Sequence, residues 1–237
     1  MTFPDDCLQS IISPTDWWVP NNNRALCRGA LVFAFAPHVD QVPFTFEPIG
    51  RANAEQHDKA NIRVAPLKVD QPLKRTALPV AAMTLHDNEV WAAYRAKKRP
   101  CLVLGSDTPL VDRSVIKGMP KNSTAPTVLA APYYGADQNG KRAGYNPEFI
   151  ERIRHCEYPQ FVWDSLPIGG PKESVLRLDH IQPIGTHHNS YKVCEFMLSE
   201  DAMDVIDELI QWIIWGGVEE DSLVALYRQV IEETFSP

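Results

Sequence analysis

Proline is the residue that most limits the folds open to this chain. The sequence has 20 prolines and 12 glycines among 237 residues. Proline interrupts helices, and in sheets it is confined to edge strands, strand ends and bulges. This abundance favours short strands joined by long, ordered connections. We therefore expect an α+β fold that is mainly β.

Only one stretch has the clear pattern of a long helix, and it lies toward the C terminus. It begins near Ser199, a favourable N-cap residue, and acidic residues occupy its first turn at Glu200 and Asp201. Apolar residues then recur at helical spacing until Gly216 and Gly217, which gives the helix one wide apolar face. We expect this helix to pack on a sheet, with Trp212 and Trp215 extending the buried area toward a last helix over about 219–233.

Short apolar runs elsewhere predict strands rather than helices. They read ALVFAFA at 30–36, CLVL at 101–104, TVLAA at 127–131 and FVW at 161–163. Region 42–79 is rich in proline and charge, and we interpret it as an insertion or lid with a weak strand near 61–64 and a short helix near 52–59. The first residues, to about 23, are predicted to form an irregular arm packed over the body.

Composition and charge restrict the class of protein. Apolar residues make up 44% and charged residues 22%, as in ordinary globular domains. The net charge of −7 argues against a surface that attracts nucleic acid as a whole, so any RNA contact must be local. Five cysteines without a CxxC pair are predicted to be free thiols, and no signal peptide or membrane-length apolar segment is evident. These features predict a cytoplasmic protein.

The segment SVLRLDH at 174–180 is the most informative motif for function. In a regular strand, Arg177 and Asp179 project from one face, whereas His180 projects from the other. A cation beside a base can bind a phosphate and remove a proton from a neighbouring hydroxyl, which are the two tasks of a metal-free ribonuclease. The alternative interpretation is a structural ion pair that fixes the strand.

The order and spacing of several segments resemble PemK/MazF-like toxins. These segments are KRPCLVL at 98–104, VLAAP at 128–132, SVLRLDHIQPI at 174–184 and LSED at 198–201. Proteins of that family are SH3-like barrels, usually dimeric, that act as sequence-selective endoribonucleases and are neutralised by a cognate antitoxin. The resemblance covers about 89–216. It implies an N-terminal extension at 1–85, a small curved SH3-like barrel with its closing helix at 86–217, and a helical tail at 218–237.

The resemblance leaves two positions open for the first barrel strand. One is the segment EVW that begins at Glu89, and the other is the segment GALV that begins at Gly29, with some sixty residues inserted before Arg99. Two family positions also differ in this chain. Tyr134 replaces the hydroxyl residue that usually follows the proline of the next strand, and His180 replaces a frequent glutamine.

The resemblance implies a catalytic set of Arg99, Arg177 and Asp179. Asp179 would take the proton of a ribose 2′-hydroxyl as that oxygen attacks phosphorus, while the two arginines hold the phosphate. The leaving oxygen would take a proton from Arg177, His180 or water, and we assign His180 as the candidate donor because histidine titrates near neutrality.

RNA contacts are predicted at Tyr134, by stacking on unpaired bases, and at Lys141 and Arg142, along the backbone. The expected partners are single-stranded RNA, a cognate antitoxin protein and a second copy of the chain in a homodimer. No cofactor, metal or membrane is expected.

Two other functions stay open from sequence. A barrel of the same fold that has lost catalysis would serve as a binding or interaction module, and the acidic balance and long N-terminal region favour that hypothesis. The adjacent histidines His187 and His188 suggest a metal hydrolase, but no carboxylate or cysteine lies nearby at a ligand-like spacing.

Overall fold

The computed structural model describes residues 3–69, 89–106, 109–137, 144–169 and 173–235. The fold is mixed α/β with mostly antiparallel sheets. The chain divides into two compact units: a main unit of residues 1–35 and 98–237, and an inserted unit of residues 36–97. The three-part division at 85 and 217 stays a prediction.

The main sheet contains eight of the described strands. In chain order these are β1 (Trp18–Pro20), β2 (Ala30–Pro37), β6 (Ala96–Gly105), β7 (Thr127–Gly135), β8 (Phe161–Asp164), β9 (Ser174–Arg177), β10 (Gln182–Gly185) and β11 (Tyr191–Leu198). The hydrogen-bonded order is β1-β11-β2-β6-β7-β9-β8, and β10 also pairs with β7. Among the described residues no pairing joins β1 to β8, so the sheet is open.

Strand β2 is the neighbour of β6, the strand that carries Arg99. The amide of Gly29 donates to the carbonyl of Val103 at 2.8 Å. Of the two positions left open by the sequence, the strand that follows Gly29 therefore lies beside the Arg99 strand. The segment that begins at Glu89 contributes only the two-residue strand β5 (Ala92–Ala93), which belongs to the inserted unit.

The inserted unit is built on a three-stranded sheet. Strand β3 (Phe44–Gly50) lies between β4 (Asn61–Pro66) and β5. The weak strand predicted near 61–64 is thus confirmed as β4, but the helix predicted near 52–59 is wrong. Those residues form turns, and the side chain of Asn53 accepts a hydrogen bond from the amide of Glu55 at 3.0 Å. Such a side-chain bond to the backbone competes with helix formation.

Helix α3 (Glu200–Trp215) confirms the long amphipathic helix. The Ser199 hydroxyl accepts from the amide of Ala202 at 3.3 Å, and Gly216 ends the helix at φ 81°, a left-handed conformation that favours glycine. The buried face joins the largest core cluster, together with sheet residues such as Leu102 and Leu176. Trp212 packs against this core, whereas Trp215 is 79% exposed, so its predicted burial is wrong.

The remaining helices are short or lie against α3 and the N-terminal segment. They are α1 (Arg113–Ile116), α2 (Pro147–Arg154) and α4 (Leu223–Phe235), with 3-10 turns at Leu8–Ile12, Pro120–Asn122 and Leu178–His180. The predicted irregular arm is only partly irregular, because it contains one of these turns and strand β1. None of the described helices combines the length and the apolar character needed to cross a membrane.

Candidate functional site

A 3-10 turn interrupts the strand that carries the Arg/Asp motif. Strand β9 ends at Arg177, residues 178–180 form the turn, and β10 resumes at Gln182. Both strands pair with β7, with Val175 opposite Tyr134 and Gln182 opposite Ala130. The expectation of a regular strand through 180 is therefore wrong, because the chain turns to bury Leu178, which is 2% exposed.

Arg177 and Asp179 form a two-point ion pair across this turn. Arg177 donates from Nε to Asp179 Oδ1 at 2.7 Å and from Nη2 to Asp179 Oδ2 at 2.5 Å. The guanidinium matches the carboxylate fork to fork, which is the strongest geometry for such a pair. Hydrogen bonding to Asp179 raises the pKa of Arg177. Both side chains are partly exposed, at 20% and 34%.

His180 lies on the same side of the chain as this ion pair. Its Nε2 is 3.1 Å from Arg177 Nη2 and 3.9 Å from Asp179 Oδ2. The prediction that His180 points away from Asp179 is wrong, because the alternation of a strand does not apply within a 3-10 turn. The imidazole is thus within reach of the groups proposed to bind a phosphate.

Tyr134 is the residue around which these groups meet. The Arg99 guanidinium carbon lies 3.7 Å from the centroid of the Tyr134 ring, and that of Arg177 lies 5.5 Å from it. The Tyr134 hydroxyl is 2.8 Å from His180 Nδ1. We call Arg99, Tyr134, Arg177, Asp179 and His180 the Tyr134 cluster. Neighbouring strands bring its members together, since β7 pairs with both β6 and β9.

The guanidinium of Arg99 is held by the aromatic ring, but its hydrogen-bonding capacity is not fully used. Arg99 Nε is buried and has no hydrogen-bond partner among the described residues. A buried N–H without a partner costs about 1–3 kcal/mol. An acceptor placed at this nitrogen would remove that cost. The cluster therefore combines two guanidinium groups with an unsatisfied N–H donor.

Two aromatic contacts of Arg177 were missed by the sequence analysis. Its guanidinium carbon lies 4.8 Å from the Phe161 ring centroid, and Tyr145 hydrogen-bonds to its side chain. Phe161 is the cross-strand partner of Arg177 between β8 and β9. The apolar run at 161–163 predicted a strand but gave no sign of which strand it pairs with. These contacts hold Arg177 in addition to its ion pair with Asp179.

The structure describes only some of the other candidate residues. Lys141 and Arg142 lie outside the described residues. His187 and His188 have ring centroids 4.2 Å apart, but no group of three metal-ligating side chains is found in the described part of the chain.

A second polar group, missed from the sequence, is buried on the other face of β7. Asp164 is fully buried and accepts hydrogen bonds from Tyr133 Oη at 2.9 Å, Trp18 Nε1 at 3.0 Å and Trp17 Nε1 at 3.3 Å. Burial raises the pKa of Asp164 to about 6. Trp17 and Trp18 are themselves buried. Their pairing with Asp164 follows a general tendency, since buried indole N–H groups find acceptors.

No protein-family model matches the chain, and no curated protein matches its sequence significantly.

Proposed function

We propose that this protein is a metal-independent endoribonuclease of toxin type that cleaves single-stranded RNA by attack of the 2′-hydroxyl. The observation that carries the proposal is the meeting of Arg99 and Arg177 at one tyrosine ring, with both guanidinium carbons within 5.5 Å of its centroid. Asp179 and His180 lie within hydrogen-bond reach of Arg177. Paired guanidinium groups beside proton-accepting groups suit phosphoryl chemistry.

The roles follow from the charges of the groups. Arg99 and Arg177 hold the non-bridging oxygens of the scissile phosphate and stabilise the charge that accumulates as the 2′-oxygen attacks. The unsatisfied Nε–H of Arg99 is a donor for one of these oxygens. A side chain of the cluster accepts the 2′-hydroxyl proton. Tyr134, together with Lys141 and Arg142, completes the proposed contact with RNA.

We also propose that the main sheet is an elaborated and open variant of the SH3-like barrel of the PemK/MazF type, unpaired between β1 and β8 in the described part of the chain. Support comes from the pairing of both β9 and β10 with β7, on either side of the 3-10 turn, and from α3, which packs its apolar face into the core. Under this proposal the inserted unit separates the first two barrel strands. A homodimer and a cognate antitoxin remain part of the proposal, to be tested by light scattering and by co-purification with neighbouring gene products.

The experiment is RNA cleavage by the purified protein in EDTA. A labelled single-stranded RNA of mixed sequence should yield products with a 2′,3′-cyclic phosphate and a 5′-hydroxyl. Arg177→Gln should reduce the rate at least 100-fold, because a donor to the transition-state charge is lost. Arg113→Gln is the matched control, since Arg113 is exposed and lies in α1, outside the cluster. Absence of cleavage, or equal cleavage by both variants, would refute the proposal.

A second candidate function is a binding module without catalysis. The observation in its favour is that both Asp179 oxygens are already engaged by Arg177, as in a structural ion pair. Such a module would bind single-stranded RNA, or another anionic ligand, and release it uncleaved. RNA binding that Arg177→Gln weakens, without any cleavage, would support this candidate over the enzyme.

A further inference from the structure

The hydrogen bonds of His180 determine which ring nitrogen carries its proton. Arginine has N–H donors and no acceptor. In the contact of 3.1 Å between Arg177 Nη2 and His180 Nε2, arginine must donate and Nε2 must accept. His180 Nε2 therefore presents a lone pair. The proton of the neutral ring is then on Nδ1, which donates to the Tyr134 hydroxyl at 2.8 Å.

Asp179 is a weaker candidate than His180 for accepting a proton from substrate. Its two oxygens accept from Nε and Nη2 of Arg177, so both point at a cation. Protonating this carboxylate would break an ion pair that orients the guanidinium. Asp179 is thus better suited to hold Arg177 than to take a proton from substrate.

We infer that His180, held by Tyr134 with its proton on Nδ1, is the general base of the site, and that Asp179 is a positioning residue for Arg177. This inference rests on the proposed ribonuclease function. It reverses the roles expected from sequence, where Asp179 was the base and His180 the proton donor. Tyr134 is then also a positioning residue, acting through the tautomer of His180.

The entry of a phosphodiester would complete this arrangement. A phosphate oxygen takes the Nη2–H of Arg177, which releases the lone pair of His180 Nε2 beside the bound phosphate. The 2′-hydroxyl next to that phosphate then meets an imidazole nitrogen rather than a paired carboxylate. Among the described residues, the groups that face His180 include Tyr134 from β7, Arg177 from β9 and Asp179 from the turn.

The chemical step balances without a cofactor. The 2′-O–H bond breaks and its proton moves to His180 Nε2, while the 2′-oxygen bonds to phosphorus and the bond from phosphorus to the 5′-oxygen breaks. The 5′-oxygen takes a proton from water, and the imidazolium returns its proton to the hydroxide formed. The products are a 2′,3′-cyclic phosphate and a 5′-hydroxyl, and no proton is consumed.

The first test reads the tautomer without reference to activity. In protein labelled with ¹⁵N-histidine, long-range ¹⁵N–¹H correlation at a pH where the ring is neutral should show the proton of His180 on Nδ1, with the signal assigned by its loss in His180→Gln. Arg177→Met, which removes the donor to Nε2, should let the proton move to Nε2, whereas Arg113→Gln should not. A proton on Nε2 in the native protein would overturn the inference even if RNA is cleaved.

The second test separates the two candidate bases by single-turnover cleavage. His180→Gln should slow cleavage about 100-fold or more, with RNA binding retained, and His188→Gln should have no effect, since His188 is exposed. Added imidazole should partly restore cleavage by His180→Ala. Asp179→Asn should lose less rate than His180→Gln. Undiminished cleavage by His180→Gln, or no rescue together with a larger loss in Asp179→Asn, would overturn the assignment. In either case the ribonuclease proposal would still stand.

Discussion

Trp18 donates its indole N–H to the buried carboxylate of Asp164 across 3.0 Å. This bond joins the first strand of the main sheet to the end of β8, across 146 residues of sequence. A second indole and the Tyr133 hydroxyl bind the same carboxylate, which is fully buried. The backbone amide of Ser165 is a fourth donor. These four neutral donors do not fully replace the hydration of a charge, and burial therefore still raises the pKa of Asp164.

We expect Asp164 to make the native protein less stable as the pH rises from about 4 to 7. Burial raises the pKa of Asp164 from 3.8 to about 6 in the folded state, so its contribution to stability is greatest below pH 4 and is lost as the pH passes 6. The loss is about 3 kcal/mol, since the shift is roughly two pKa units. Unfolding by urea at several pH values measures it.

The matched comparison isolates Asp164 from the other acids. Asp164→Asn cannot titrate at this position. The unfolding free energy of the native protein, taken relative to that of Asp164→Asn, should therefore fall as the pH rises from about 4 to 7. Asp204→Asn alters an exposed carboxyl of α3 and should not change the pH dependence. A difference that stays flat between pH 4 and 7 would show that Asp164 keeps an ordinary pKa.

Trp18→Phe should destabilise the protein by about 2 kcal/mol and move the Asp164 transition to higher pH. The substitution removes one donor to a buried carboxylate, and hydrogen bonds to charged groups are worth about 1.5–3 kcal/mol. The Trp18 bond lowers the pKa of Asp164, so its loss lets the pKa rise further. Trp91→Phe is the control, because Trp91 is 42% exposed. An unchanged transition pH would contradict the assigned hydrogen bond.

Glu208→Ala should weaken the attachment of α4 to α3. The Glu208 carboxylate accepts from the amides of Leu223 at 3.1 Å and Val224 at 2.8 Å, the first residues of α4. Its removal leaves two amides at a helix N terminus without this acceptor and should cost about 1 kcal/mol. Urea unfolding and hydrogen exchange of α4 amides measure the effect. Glu220→Ala, at an exposed position before α4, should have little effect, and an equal loss in both variants would refute the capping role.

Local patterns predicted the regular elements of the main unit well. The apolar runs at 30–36, 101–104, 127–131 and 161–163 lie in strands. Ser199 caps the N terminus of the long helix and Gly216 its C terminus, as predicted. Periodicity and capping depend on neighbouring residues, so one sequence is enough to detect them.

The features that the sequence did not predict depend on residues that are far apart in the chain. Asp164 is surrounded by residues about 30 and 146 positions away, and no local signal links them. The 3-10 turn at 178–180 buries Leu178 in a core whose other members come from distant parts of the chain. The Arg177/Asp179 pair was found from its two-residue spacing, but the bond between His180 and Tyr134 required the turn to be known.

Arg99→Gln and Arg99→Lys should have different effects on RNA binding. The guanidinium of Arg99 both carries charge and lies 3.7 Å from the Tyr134 ring centroid, whereas lysine keeps the charge but not the planar, two-point donor. With a 2′-O-methyl RNA that cannot be cleaved, Arg99→Gln should weaken binding and flatten the slope of log affinity against log salt by about 0.7, the loss of one phosphate contact. Arg99→Lys should weaken binding with the slope unchanged, and Arg113→Gln should alter neither quantity. If both Arg99 variants match the native protein in affinity and slope, Arg99 does not contact the phosphate, and the RNA site lies away from Tyr134.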